Sequence, residues 1–117
     1  MQQSRSKELS RIKDLVEALY GFNLFKGSRK RQVTYARKVF TKLARDKGHT
    51  YGSIGASIGY THATVLYHYE SFNVISDGDM HIYNRILNIY RVLPQIENVD
   101  LLSILIDEED DKQIIKA

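Results

Sequence analysis

The sequence predicts an all-α fold, and three observations carry that prediction. Apolar residues recur at three- and four-residue intervals through most of the chain, the spacing of one buried helix face. No stretch alternates apolar and polar residues over a strand's length. Glycines and residues with capping chemistry punctuate the periodic segments where helices would stop and start. A chain of 117 residues suits one domain. Five to six helices are expected over 1–106, followed by an acidic tail at 107–117.

The elements follow in order. Leu9, Ile12, Leu15, Val16 and Leu19 line one face of a helix over about 6–20. "GFNLFKGS" interrupts it, with Gly21 and Gly27 as breakers. Ser28 has the chemistry of an N-cap for a second, longer helix. Val33, Ala36, Val39, Phe40 and Leu43 form its buried stripe, and Gly48 ends it after Arg45 and Lys47, cations suited to a helix C-terminus. Thr50 can cap a short helix over 51–58, and Thr61 another over about 61–73. "SDGD" reads as a turn. A fifth helix from about 79 carries Ile82, Ile86, Ile89 and Leu93 on one face, with Tyr83, Leu87 and Tyr90 beside it, and Pro94 ends it or begins the next segment. "IENVDLLSILI" is periodic enough for a last helix, and "QIIKA" is an expected mobile end.

The segment "YGSIGASIGYTHATVLYHYESF", residues 51–72, has the residue types of a helix-turn-helix. Two helices crossing steeply over a turn of three or four residues need a small residue where their backbones approach. Gly55 supplies it, between the apolar Ile54 and Ile58. Gly59 suits the left-handed backbone of the turn, and Val65, six residues on, drops into the angle. Gly55 costs the helix about 1 kcal/mol against Ala, which a tight crossing would justify. Val65, Leu66, Tyr69 and Phe72 then face inward, leaving Thr61, His62, Ala63, Thr64, Tyr67, His68 and Ser71 for the outside or its margin. An exposed helix start that is uncharged and hydroxylated suits base edges in a major groove. The plain alternative is a helical hairpin that binds nothing.

Charge favours the sharper reading. Residues 1–70 hold 13 Lys/Arg against 5 Asp/Glu, whereas residues 71–117 hold 4 against 9, so a basic part precedes an acidic one. Other classes lack support. There is no Cys, which excludes disulfides and thiolate metal sites. Gly21 and Gly27 are one residue too far apart for a phosphate-cradling loop, and Ser28 stands where Lys is needed. His62 and His68 lie six apart and point to different sides of a helix, so no shared zinc is expected. No nucleophile–base pair, carboxylate dyad or cofactor loop is evident, so no enzyme, cofactor or small-molecule ligand is expected. The polar N-terminus is no signal peptide, and no apolar run reaches the length of a membrane span, so the expected location is cytoplasmic.

The run "RQVTYARKVFTKLARDKGHTYGSIGASIGYTHATVLYHYESF" resembles the C-terminal DNA-binding domain of the bacterial replication initiator DnaA, a Trp-repressor-like helix-turn-helix domain. The matching features are Arg31-Gln32 opening the long helix, Tyr51 to Gly55, Ile58-Gly59, and "THATVLYH" at 61–68. Weaker similarity in "VEALYGF" and "MHIYNRILNIYRVL" extends coverage to about residues 12–93. The His-x-Thr-Val-Leu core at 62–66 is its most specific part. The resemblance implies an Arg of the basic loop in the minor groove and the start of the recognition helix in the major groove. Carried over, Arg29, Lys30 and Arg31 are the loop candidates, while His62 and Thr64 match the family's His and Thr. Tyr60 and Thr61 replace the family's Arg and acidic residue, and both turn and loop are shorter, which implies a different base preference. The family's ATPase half is absent from this sequence, as expected of a separate binding domain from a phage or mobile element.

The candidate DNA contacts are therefore Thr61, His62, Ala63 and Thr64 on bases, with Lys26, Arg29, Lys30, Arg31, Lys38, Lys42, Tyr67 and His68 on the backbone or minor groove. For His62 the plainer role is capping or packing. For Lys38, Lys42 and Arg45 it is a solvated helix face; Tyr35 and Phe40 read as core, and His49 and His81 as margin residues. The expected function is a sequence-specific double-stranded DNA binder acting in transcription or replication control. The alternative is a protein-interaction module built on the apolar C-terminal segment, with DNA binding vestigial. RNA is less suited, because the aromatics lack a sheet platform. Segment 96–106 would mediate a homodimer or cover its own core, and the tail "IDEEDDKQ" would solvate the end or compete with DNA for the basic face.

Overall fold

The computed structural model describes residues 2–92. Five helices account for their regular structure: α1 (Gln2–Tyr20), α2 (Arg31–Asp46), α3 (Tyr51–Ile58), α4 (His62–Glu70) and α5 (Asp77–Val92). Leu93, Pro94, the 96–106 segment and the acidic tail lie outside the described residues, and with them the expectations of a sixth helix and a dimer contact.

The centre of the fold is α2, which packs against all four other helices. Its burial follows from that position. The expected stripe of Val33, Ala36, Val39, Phe40 and Leu43 is buried, and so are Arg37, Lys38, Thr41 and Ala44, giving an unbroken buried run from 36 to 41. Leu9, Ile12, Leu15 and Val16 of α1 close over one side. Ile86, Ile89 and Tyr90 of α5 join the same core, as do Ile54, Ile58 and Val65. Burying each large aliphatic chain contributes about 1.5–3 kcal/mol, so this contiguous cluster dominates the fold's stability.

Several helix boundaries differ from the sequence expectation. α1 begins at Gln2, ahead of its apolar face. The α2 N-cap position is Lys30, not Ser28; the Ser28 hydroxyl instead accepts from the Lys30 N–H within the loop, 3.3 Å away. Thr50 caps α3 as expected, accepting from the Ser53 N–H at 3.1 Å. Thr61 occupies the α4 cap position without a side-chain bond to the backbone, and α4 ends at Glu70, short of 73. "SDGD" is not a free turn but a helix start. Asp79 Oδ2 accepts from the Ser76 N–H at 3.1 Å, and Ser76 Oγ accepts from the Asp79 N–H at 3.1 Å. This is a reciprocal capping box with Asp in the third position. His49, expected at the margin, is buried, and its Nε2 lies 2.6 Å from Glu8 Oε1, tying the α2–α3 connection to α1.

Candidate functional site

α3 and α4 are joined by Gly59, Tyr60 and Thr61 alone. Ile54, Ile58 and Val65 are fully buried in the angle between them. Gly55 marks the closest approach: a Cβ there would stand 2.4 Å from the Tyr60 carbonyl oxygen and 3.2 Å from Val65 Cγ2. Its carbonyl instead accepts the Tyr60 N–H at 2.9 Å. Gly59 takes φ +79°, the left-handed conformation that ends α3. The local sequence thus dictates how α4 leaves the turn.

That exit presents the start of α4 to solvent. Thr61, His62 and Ala63 are exposed and Thr64 is half-buried, with the Thr61 and Thr64 hydroxyls 3.4 Å apart. Ala63 and Tyr67 lie one turn apart on one face, and Tyr67 is 62% exposed, unusual for so large a ring. The His62 ring lies 6.4 Å from that of Tyr51 at the start of α3.

Beside this surface lies the loop 21–30, and the structure explains its shape through a residue that sequence reasoning missed. Arg37 is only 2% exposed, yet each of its guanidinium nitrogens has an acceptor. Its Nε donates to the Leu24 carbonyl at 2.8 Å, Nη1 to Ser28 at 2.8 Å and Nη2 to Phe25 at 2.9 Å. One planar fork thereby gathers three loop carbonyls. The guanidinium also lies 5.0 Å from the centroid of the Tyr60 ring, in the α3–α4 turn. The loop's own backbone completes the junction: the Lys26 N–H donates to the Ile58 carbonyl at 2.8 Å. A Cβ at Gly59 would fall 2.8 Å from Phe25 Cζ and 3.0 Å from Lys26 Cγ, so the loop rests directly on the turn. Phe25 is 48% exposed, and Lys26, Arg29, Lys30 and Arg31 are all exposed.

The electrostatics of this region are one-sided. From 18 to 69 the chain carries nine Lys/Arg, and Asp46 is its one acidic residue. Not all of these cations face solvent. Lys38 is buried, with Nζ over the Tyr35 and Tyr67 rings and 3.4 Å from the Val74 carbonyl, and burial lowers its pKa. Lys42 is paired with Asp46 at 3.0 Å, and that bond raises its pKa. Arg45 donates to the His49 carbonyl at 3.0 Å and covers Tyr51. Lys38, expected as a phosphate contact, is 4% exposed, and its ammonium is directed to the Val74 carbonyl and the two rings.

His68 is also buried. Expected at the outer margin, it is 6% exposed and its ring stands edge-on to Tyr60. Burial, with the cations Arg37 and Lys38 nearby, pushes its pKa down to about 4, so it is neutral near pH 7. Of the expected core aromatics, Phe40 is fully buried and Tyr35 is half-buried.

The structure thus sets Phe25 and Lys26 of the loop against the turn that precedes 61–64 and Tyr67, and leaves Arg29, Lys30 and Arg31 exposed farther along the chain. It removes Lys38 and His68 from that surface. A cavity of about 220 Å³ lined by Ile12, Leu43, Asp46, Lys47, Leu87 and Tyr90 shares no residue with it. Among the described residues no helix is long and apolar enough to cross a membrane. No family model, curated protein or solved structure matches the chain.

Proposed function

We propose that this chain binds double-stranded DNA with sequence preference, as a non-enzymatic regulator of transcription or replication in the cytoplasm. In this reading α3 and α4 form a helix-turn-helix. The start of α4 enters the major groove, where His62 and Thr64 hydrogen-bond base edges and Ala63 meets a thymine methyl. The loop cations Lys26, Arg29, Lys30 and Arg31 lie on phosphates or reach the minor groove. Tyr67 packs against the sugar-phosphate backbone.

The observation that carries this reading is a juxtaposition. An exposed, uncharged, hydroxyl-bearing helix start follows a turn on which rests a loop pinned by Arg37, and the three cations of that loop, with Arg31 at the start of α2, are exposed. A plain solvated surface needs neither the apolar exposure of Tyr67 nor a loop fixed by a buried guanidinium. The resemblance to the DnaA C-terminal domain supports the same assignment of roles to His62, Thr64 and the loop.

Selection from random duplexes tests it. One enriched sequence class is expected, with log affinity falling against log salt at about 0.9 per phosphate contact. His62→Ala should flatten the base preference, and Arg29→Ala should mainly weaken binding. If no duplex is enriched at low salt, the reading is wrong.

A further inference from the structure

Arg37 is shielded from solvent and so does not itself touch a ligand, yet it contacts both parts of the proposed surface. Each of its three nitrogens donates to a carbonyl, of Leu24, Ser28 or Phe25, and its Cζ lies over the Tyr60 ring. From these contacts we infer that Arg37 is a positioning residue that sets the spacing between the cationic loop and the start of α4, and so makes the protein read two neighbouring segments of a duplex at one fixed separation. The inference rests on the DNA-binding reading above and adds the residue that couples its two halves.

The geometry favours this over a purely structural role. A buried arginine that only filled space would need any acceptors it could reach. This one takes three carbonyls from one loop within five residues of sequence, and stacks on the turn against which that loop rests. The Lys26–Ile58 backbone bond and the close approach of Phe25 to Gly59 lock the same junction from its other side. A lysine at 37 would retain the charge but not the planar fork, so it cannot hold three carbonyls in one plane.

Two measurements on the full chain test the inference, using Arg37→Lys, and Tyr60→Leu as a second variant should the first fail to fold. The first is amide hydrogen exchange at Lys26 and its loop neighbours, which needs no DNA. Exchange is expected to speed up by about tenfold or more in the variant while the α1 and α5 amides keep their protection. The second uses the duplex selected by the wild-type chain. One base pair is inserted between the segment whose preference depends on His62 and the segment whose contribution depends on Arg29. The insertion moves the two apart by about 3.4 Å along the axis. The wild-type chain should lose about tenfold or more in affinity for the lengthened duplex, and the variant about threefold or less. Unchanged loop exchange overturns the inference. So does a variant whose loop loosens yet still rejects the inserted duplex as the wild type does. Should the wild-type chain enrich no duplex, the DNA reading alone falls, and loop exchange still decides whether Arg37 holds the loop on the turn.

Discussion

Gly52 and Gly55 sit three residues apart in one short helix and should respond oppositely to the same substitution. At Gly52 a methyl group meets nothing closer than the Thr50 hydroxyl at 4.0 Å. Gly52→Ala should therefore stabilise the fold by about 0.5–1 kcal/mol, the intrinsic helix preference. At Gly55 the methyl would fall 2.4 Å from a backbone oxygen, which cannot swing aside as a side chain can. Gly55→Ala should cost about 1–3 kcal/mol despite the better propensity. Urea denaturation of the pair checks both signs. His68 makes a prediction in pH. Its folded pKa of about 4 lies below the 6.5 of a free imidazole. The unfolded chain therefore takes up a proton first as pH falls. The stability this neutral ring contributes is whole above pH 6.5 and is lost as pH falls from 6.5 toward 4. Between about pH 7.5 and 5 the loss should be about 2 kcal/mol. A His68→Gln chain should lose less over that interval, by urea titration at each pH. Sequence spacing revealed Gly55 because its reason is local, a contact ten residues away across a turn. It did not reveal the burial of His68, which depends on Tyr60, Arg37 and Lys38 arriving from a turn and another helix.

At the level of elements, apolar spacing located α1, α2 and α5, and capping and turn residues located α3 and α4, all five packing on α2 or its neighbours. Boundaries were less legible, because caps compete. Ser28 and Ser76 offer the same hydroxyl chemistry, but only Ser76 has an acidic partner three residues on to complete the reciprocal pair. That pair carries more than a helix end. Tyr20 donates its hydroxyl to Asp79 Oδ1 at 2.5 Å, so the start of α5 is tied to the end of α1. Burial, followed by the bond to Asp79, raises the Tyr20 pKa and keeps the phenol protonated. Ser76→Ala should cost about 1 kcal/mol, the usual value of a lost cap. Asp79→Ala should cost about 2–3 kcal/mol, since it also strips a half-buried hydroxyl of its acceptor. Thermal melts of the two variants should separate by several degrees; equal melts would show that the Tyr20 bond adds nothing.

For the whole molecule, charge distribution and fold combine into a prediction about salt. Removing Arg29 and Lys30 together should flatten the salt dependence of duplex binding by about 1.8 in log–log slope, about 0.9 for each phosphate no longer neutralised. Lys42→Ala should change it far less, because Asp46 already occupies that ammonium. Fluorescence titration across salt concentrations distinguishes the two. The basic character of this region was legible from residue counts, and so was the uncharged start of α4. Which cations stay available was not. Arg37 interrupts an apolar stripe at a position where Val33 and Phe40 are buried, and that misplaced charge is the one signal the sequence offers. Its partners are main-chain oxygens, which every residue carries, so no side-chain pattern announces them. The same anonymity has a consequence for how such a protein changes over generations. Because the anchor grips peptide groups and is indifferent to what projects from them, the outward residues at 26, 29 and 30 can be exchanged without redrawing the path of the chain. If the chain binds DNA as proposed, its affinity is then adjustable by single substitutions at the tips, while the scaffold beneath them is inherited intact.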